Sequence, residues 1–392
     1  MTAFFNRRSS TKHFLLPFLV GGGIILGLIF ISAPYFFKAR YALPTTGVVS
    51  EAAAQVRHIK PPPVVKGLYM TSWVAGTPRL RQEVVDLIDQ TEINALVIDI
   101  KDYTGKIAFQ IDHPLIKEIG SAEGRISDIE AFIDLLHKKG VYVIGRIAVF
   151  QDPHFVKVRP KLAVRRESDG GVWKDRKGIS WLDAGSLEVW QYTVAIAEES
   201  YKKGFDELNF DYIRFPSDGN MNDIRYPVSE DREKRQVIED FFAYISNRLR
   251  RAQIPISADL FGMTTTNTDD LNIGQVLESA LPYFDYIAPM VYPSHYPPSF
   301  IGFANPAEKP YEVIKYSMDS AVERVKLFDA TVASTSIQKL RPWLQDFDLG
   351  ATYTADMVRK QIQAVYDSGL SSWTIWSPSN KYTAEALLTE SR

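Results

Sequence analysis

Asp211 in NFDYIRFP, Asp259 in SADLFG and Asp346 in WLQDF each lie at or near the end of an apolar run. Carboxyl groups supplied by separate segments suit cleavage of a glycosidic bond. That reaction needs two of them flanking the bond, one protonated to help the leaving oxygen depart and one ionised to attack or to activate water. Trp73, Tyr292 and Trp376 stand at the ends of other apolar runs, and their rings suit the apolar faces of pyranoses. Asp99, Lys101, Asn209 and Arg214 offer hydrogen-bonding groups for sugar hydroxyls. These residues are the candidate site: Asp211, Asp259 and Asp346 for catalysis, the other seven for substrate. Two-carboxyl hydrolysis calls for neither a metal nor a cofactor.

Each residue also has a plainer role open to it. Asp211 can pair with Arg214 or Arg146, since buried acids are usually paired. Asp259 can accept hydrogen bonds from loop backbone, and Asp99 and Lys101, two apart on a strand, can form a structural ion pair. Trp373 and Trp376 differ by an odd number, so a regular strand turns only one of them inward. His154 and His295 fall in loops beyond strand ends.

The elements that must position these groups alternate regularly. Strands are expected at 67–73, 95–102, 141–150, 207–215, 254–262, 285–292, within 339–347, and at 371–378. Helices follow: one opening at Thr77-Pro78, one behind a Ser127/Glu130 capping box and stopping at Gly140, then segments near 187–203, from Ser229, 273–281, 310–328, 354–367 and from Thr383. Strands apolar on both faces, each followed by a helix, predict a parallel sheet covered by helices. Eight such units predict a (β/α)₈ TIM barrel. Long loops after the second, third and fourth strands, against tight helix-to-strand turns at Gly140, Gly204 and Gly369, mark the carboxyl end as the working face.

Composition narrows the partners. Lys and Arg number 45 against 47 Asp and Glu, for a net charge of −2, so no basic excess points to nucleic acid. The chain has no cysteine, which removes thiolate metal sites and cysteine nucleophiles, and its 6 histidines include no HExxH pair. No GxGxxG or GxxxxGK[ST] follows a strand, so no nucleotide is expected. Residues 14–37 carry no charge and are long enough to span a bilayer, with Arg7, Arg8 and Lys12 ahead of them. The expected organisation is a cytoplasmic N-terminus at 1–13, an uncleaved signal anchor at 14–37 with a cleaved signal peptide as the alternative, a Pro-containing linker at 38–64 and a barrel at 65–392 on the extracytoplasmic side of the membrane.

The segments GLYMTSW, VIDIKD, GFDELNFDYIRFPSDG, ISADLFG, APMVYPSHY, RPWLQDF and SWTIWSPSN, spread over residues 65–390, resemble the bacterial glycoside-hydrolase-like barrels long classed as a domain of unknown function. The resemblance implies a carbohydrate-active TIM barrel. By similarity to α-amylase-type barrels, it implies a nucleophile at Asp211, an acid at Asp259 and a transition-state helper at Asp346. Two positions depart from that pattern. Asn209 stands where those enzymes carry an arginine, and Asp259 replaces a glutamate; pairings of Asp211 with Glu207 or Asp102 stay open.

The expected function is a membrane-anchored glycosidase acting on O-glycosidic bonds of a cell-envelope or extracellular polysaccharide, including peptidoglycan-like glycan. Its competitors are an inactive glycan-binding barrel serving as an envelope scaffold and a metal-dependent carbohydrate esterase with Asp99, Asp211 and His154 as ligands.

Overall fold

The computed structural model describes residues 56–328 and 336–390. The expected anchor at 14–37, and the linker up to residue 55, lie outside them. Among the described residues no helix is long and apolar enough to cross a membrane.

Eight parallel strands close into a barrel in sequence order. They are β1 (Lys66–Met70), β2 (Ala95–Lys101), β3 (Tyr142–Ala148) and β4 (Glu207–Asp211). The circle continues through β5 (Ile256–Phe261), β6 (Tyr286–Met290), β7 (Trp343–Gln345) and β8 (Trp373–Trp376), which pairs back onto β1. The crossovers are α1 (Pro78–Gln90), α2 (Ile129–Lys138), α3 (Leu187–Tyr201), α4 (Lys234–Arg251), the single turn α5 (Leu277–Ala280), α6 (Pro310–Phe328) and α7 (Ala355–Asp367).

Alternation along the strands builds two apolar layers. Leu208, Phe210, Ile256 and Ala258 face the helices, where each large side chain buried from water contributes about 1.5–3 kcal/mol. Tyr69, Val97, Tyr142, Ile144, Ala288 and Trp343 fill the barrel itself. At its floor Arg341 on the approach to β7 pairs with Glu207 of β4. Ser257 Oγ, 2.5 Å away, and the Tyr142 hydroxyl, 3.2 Å away, also donate to Glu207. The glutamate thus fixes the barrel's base.

Several expected boundaries move, each because a side chain is used elsewhere. The helix expected from Ser229 begins at Lys234, because Asp183 binds the Ser229 hydroxyl at 2.7 Å and the Val228 N–H at 2.8 Å. The Ser127/Glu130 box does not cap α2: Asp128 holds the N-cap position, and Arg81 grips its carboxylate at 2.9 and 2.6 Å. The helix expected from Thr383 is only a 3-10 turn at Ala384–Ala386. The chain beyond it hydrogen-bonds to the Gln90–Glu92 turn instead. Strand β4 stops at Asp211 because Tyr212 adopts φ +52°. Part of the expected linker already lies on the barrel: His58 stacks on Tyr201 at 3.8 Å, and the Ile59 N–H donates to Asp206 at 2.8 Å.

Candidate active site

Arg146 is the single charge inside β3, and the alternation of that strand turns it into the barrel with Tyr142 and Ile144. Its guanidinium organises three carboxylates from three other strands. Nη1 donates to Asp99 Oδ1 of β2 at 2.7 Å. Nε lies 3.1 Å from Asp211 Oδ2, and Nη2 bonds the same oxygen. Asp259 Oδ2 of β5 stands 3.8 Å from Nε. Asp211 and Asp259 thus approach one nitrogen, and their Oδ2 atoms are separated by no more than the sum of those two distances. The other Asp211 oxygen accepts the Tyr212 N–H at 2.5 Å, a contact made by the positive-φ turn that ends β4.

One cation cannot neutralise three acids, and their surroundings separate them. Asp259 is 1% exposed. Burial, and then the neighbouring charge of Asp211, push its pKa up to about 8 against the opposing pull of Arg146, Asn209 and Trp343. Its Oδ1 accepts from Asn209 Nδ2 at 2.8 Å and from Trp343 Nε1 at 2.7 Å, which leaves Oδ2 for the proton. Asp99 is also raised by burial, opposed by Arg146 and by the Tyr69 hydroxyl that donates to it at 2.5 Å. At neutral pH the site therefore holds a protonated acid beside Asp211, whose charge Arg146 answers.

Above these groups opens a cavity of about 170 Å³, lined by Arg146, Asp211, Asp259 and Arg214 on its polar side. Its other wall is aromatic. Tyr292 and Trp376 lie 5.1 Å apart at 32°, and Phe347, outside the lining, meets Trp376 edge-on at 5.0 Å. A polar floor with paired acids beneath flat aromatic walls can take a sugar ring and protonate its glycosidic oxygen.

Of the ten candidate residues, Asp211, Asp259, Arg214, Tyr292 and Trp376 line this cavity. Asp99 and Asn209 sit behind its lining, bonded to Arg146 and Asp259. The other three are placed elsewhere. Trp73 is 58% exposed, with the Arg125 guanidinium 4.3 Å from its ring centre. A register shift between Asp99 and Lys101 breaks their shared facing, and Lys101 pairs with Asp152 at 2.8 Å and with the Ala148 carbonyl at 2.5 Å. Asp346 turns to the β8 side, where both its oxygens bind Thr383 at 2.7 Å. The strand that would carry a transition-state helper contributes Trp343 instead.

The alternative pairings resolve as well. Glu207 is bound to Arg341 at the floor, and Asp102 pairs with Arg125 at 2.5 Å. The arrangement of Asp99, Asp211 and His154 as metal ligands does not assemble: Arg146 stands between the two acids, and His154 bonds the Ile119 carbonyl at 2.9 Å. Arg146, which the sequence offers only as an ion-pair partner of Asp211, is the centre of the site, and Trp343 is a member that the sequence reading did not name. A lone arginine in VYVIGRIAVF was signal enough for the pairing of the first, whereas Pro342 obscured the register of β7 and with it the second.

Two solved structures share this architecture. The glycoside hydrolase domain of PgaB (BpsB) from Bordetella bronchiseptica is 15% identical, with a TM-score of 0.59 over 83% of this chain and 98% of that one. An alpha-L-fucosidase isoenzyme 2 from Paenibacillus thiaminolyticus is 11% identical, with a TM-score of 0.54 over 82% of this chain and 48% of that one. A hypothetical protein from Ruminiclostridium thermocellum is 37% identical, with a TM-score of 0.44, and covers 49% of this chain and 96% of that one. No curated protein matches the sequence. At such low identity the first two speak for the barrel alone, but a family model matches residues 67–382. The chain, with its closed barrel and acid-lined cavity, therefore belongs to the family described as "Putative glycosyl hydrolase domain".

Proposed function

We propose that the barrel is a glycosidase that cleaves O-glycosidic bonds in a cell-envelope or extracellular polysaccharide, held at the membrane by residues 14–37 with the barrel on the extracytoplasmic side. The observation that carries the catalytic reading is the contrast between two acids sharing Arg146 Nε: Asp211, ion-paired, and Asp259, buried with its pKa raised to about 8. Asp259 protonates the departing glycosidic oxygen. Asp211 attacks the anomeric carbon, and water then releases the sugar with Asp259 acting as base.

Strands 4 and 5 are neighbours in the sheet, about 4.8 Å apart in parallel pairing. Carboxyls carried at that spacing favour the short separation of retaining enzymes, about 5 Å, over the wider gap that admits a water. Tyr292 and Trp376 support the ring from the side.

The test is release of reducing ends by the full-length protein from envelope glycans and a polysaccharide panel, beside a folded Asp211→Asn variant. Wild-type turnover that is lost in the variant supports the reading. Glycan binding without turnover, unchanged in Asp211→Asn, would replace it with the binding barrel.

A further inference from the structure

Arg214 stands at the cavity three residues beyond Asp211, and it is the lining cation that no acid neutralises. Among the described residues no carboxylate lies within ion-pairing distance of it, whereas Arg146 is paired with Asp99 and Asp211. Its position is nonetheless fixed. Nη1 donates to the Phe215 carbonyl at 3.0 Å and to Ser217 Oγ at 3.1 Å, and the guanidinium lies 5.1 Å from the Trp181 ring centre and 5.5 Å from that of Tyr212.

These contacts use one end of the guanidinium. Nε and Nη2 have no hydrogen-bond partner among the described residues, and neither is a buried orphan. They form the edge that matches a planar carboxylate with two parallel hydrogen bonds. The desolvated charge is also costly as it stands: burial depresses the Arg214 pKa in spite of the more distant Asp211, Asp218 and Asp175.

We propose that the cavity selects a glycan carrying carboxylate groups, with a uronic acid unit bound through its C6 carboxylate to the Nε/Nη2 edge of Arg214. The inference rests on the glycosidase reading for its catalytic consequence, but not for the binding itself. The acids lie around Arg146 and the unpaired cation lies at Arg214, so the uronate carboxylate is placed away from Asp211 and Asp259.

The experiment measures binding and turnover by the full-length protein, in detergent, of oligogalacturonate, oligoglucuronate and oligomannuronate. Each is set beside its carboxyl-reduced neutral counterpart, and sulfated oligosaccharides of equal length serve as a separate arm. At least one uronate is expected to bind tenfold or more tighter than its reduced form. Arg214→Gln should cancel that preference, bringing each acidic form to within about twofold of its own neutral counterpart, and Arg214→Lys, which lacks the two-pronged edge, should restore it only in part. Circular dichroism of the variants checks their fold.

Equal affinity for every acidic and reduced pair, or a preference that survives Arg214→Gln, overturns the proposal. A preference for sulfated over uronate oligosaccharides also overturns it, in favour of sulfate recognition. Arg214-dependent uronate binding without turnover would sustain this inference and fail the glycosidase reading. Turnover of neutral glycans alone would do the reverse.

Discussion

Trp343 donates its indole N–H to Asp259 Oδ1 at 2.7 Å, so a residue on β7 fixes the acid on β5 across the barrel. The bond stabilises the ionised form of Asp259, opposing burial and the charge of Asp211. Trp343→Phe keeps most of the packing and deletes the donor. The expected result is an alkaline limb of the rate profile displaced to higher pH, with turnover lowered less than in Asp259→Asn. A profile that stays in place while the rate falls would reduce Trp343 to a packing residue.

The wild-type rate should fall on the alkaline side with an apparent pKa near 8, as Asp259 loses its proton. Because the folded acid holds its proton more tightly than the unfolded one, the stability that Asp259 contributes is greatest below the ordinary carboxyl range and declines as pH rises from about 4 towards about 8. Asp259→Asn should flatten that decline in thermal melts across the window, while turnover drops by about 10²–10⁴-fold. A melting curve as pH-dependent as wild type would place the titrating group elsewhere.

Product stereochemistry follows from the proposed double displacement. Proton NMR of the first-formed hemiacetal should show the anomer of the substrate. Release of the opposite anomer would replace nucleophilic attack by Asp211 with base-assisted attack of water.

Removing Arg146 leaves Asp99 and Asp211 without their cation. Arg146→Gln is expected to destabilise the barrel by about 3–5 kcal/mol, read by urea unfolding, because an uncompensated buried charge costs more than the pair contributes. Asp99→Asn in the same background should recover part of the loss. No recovery would mean that the two residues are not energetically coupled.

Trp376→Ala should raise KM about tenfold with kcat nearly unchanged, because the indole stacks equally well on the ground and transition states and its removal weakens both by about 1.4 kcal/mol. An equal loss in kcat would instead tie the indole to the position of the scissile bond.

The barrel was legible because its information is local and repetitive. Apolar runs of β-branched and aromatic residues, each followed by an amphipathic segment, admit few arrangements other than a covered parallel sheet, and Asp211 and Asp259 could be placed at the ends of their strands from the runs alone. The same pattern assigned Trp373 and Trp376, separated by an odd number of positions, to opposite sides. The structure puts Trp373 in the helix-facing core and Trp376 at the cavity. What the residues do with their charges was decided only by closure of the barrel. Lys101 lies where the register of β2 shifts, and Asp346 lies just beyond a β7 too short to define its facing, so one reaches Asp152 and the other Thr383. Arg146 looked like a single ion-pair partner in the sequence. In three dimensions it meets acids from β2, β4 and β5 at once, because side chains of one layer converge on the barrel axis from positions up to 113 residues away. Carboxyl types and strand ends are properties of a segment. Which acid keeps its proton depends on desolvation and on charges from other strands, and only the folded chain brings those together.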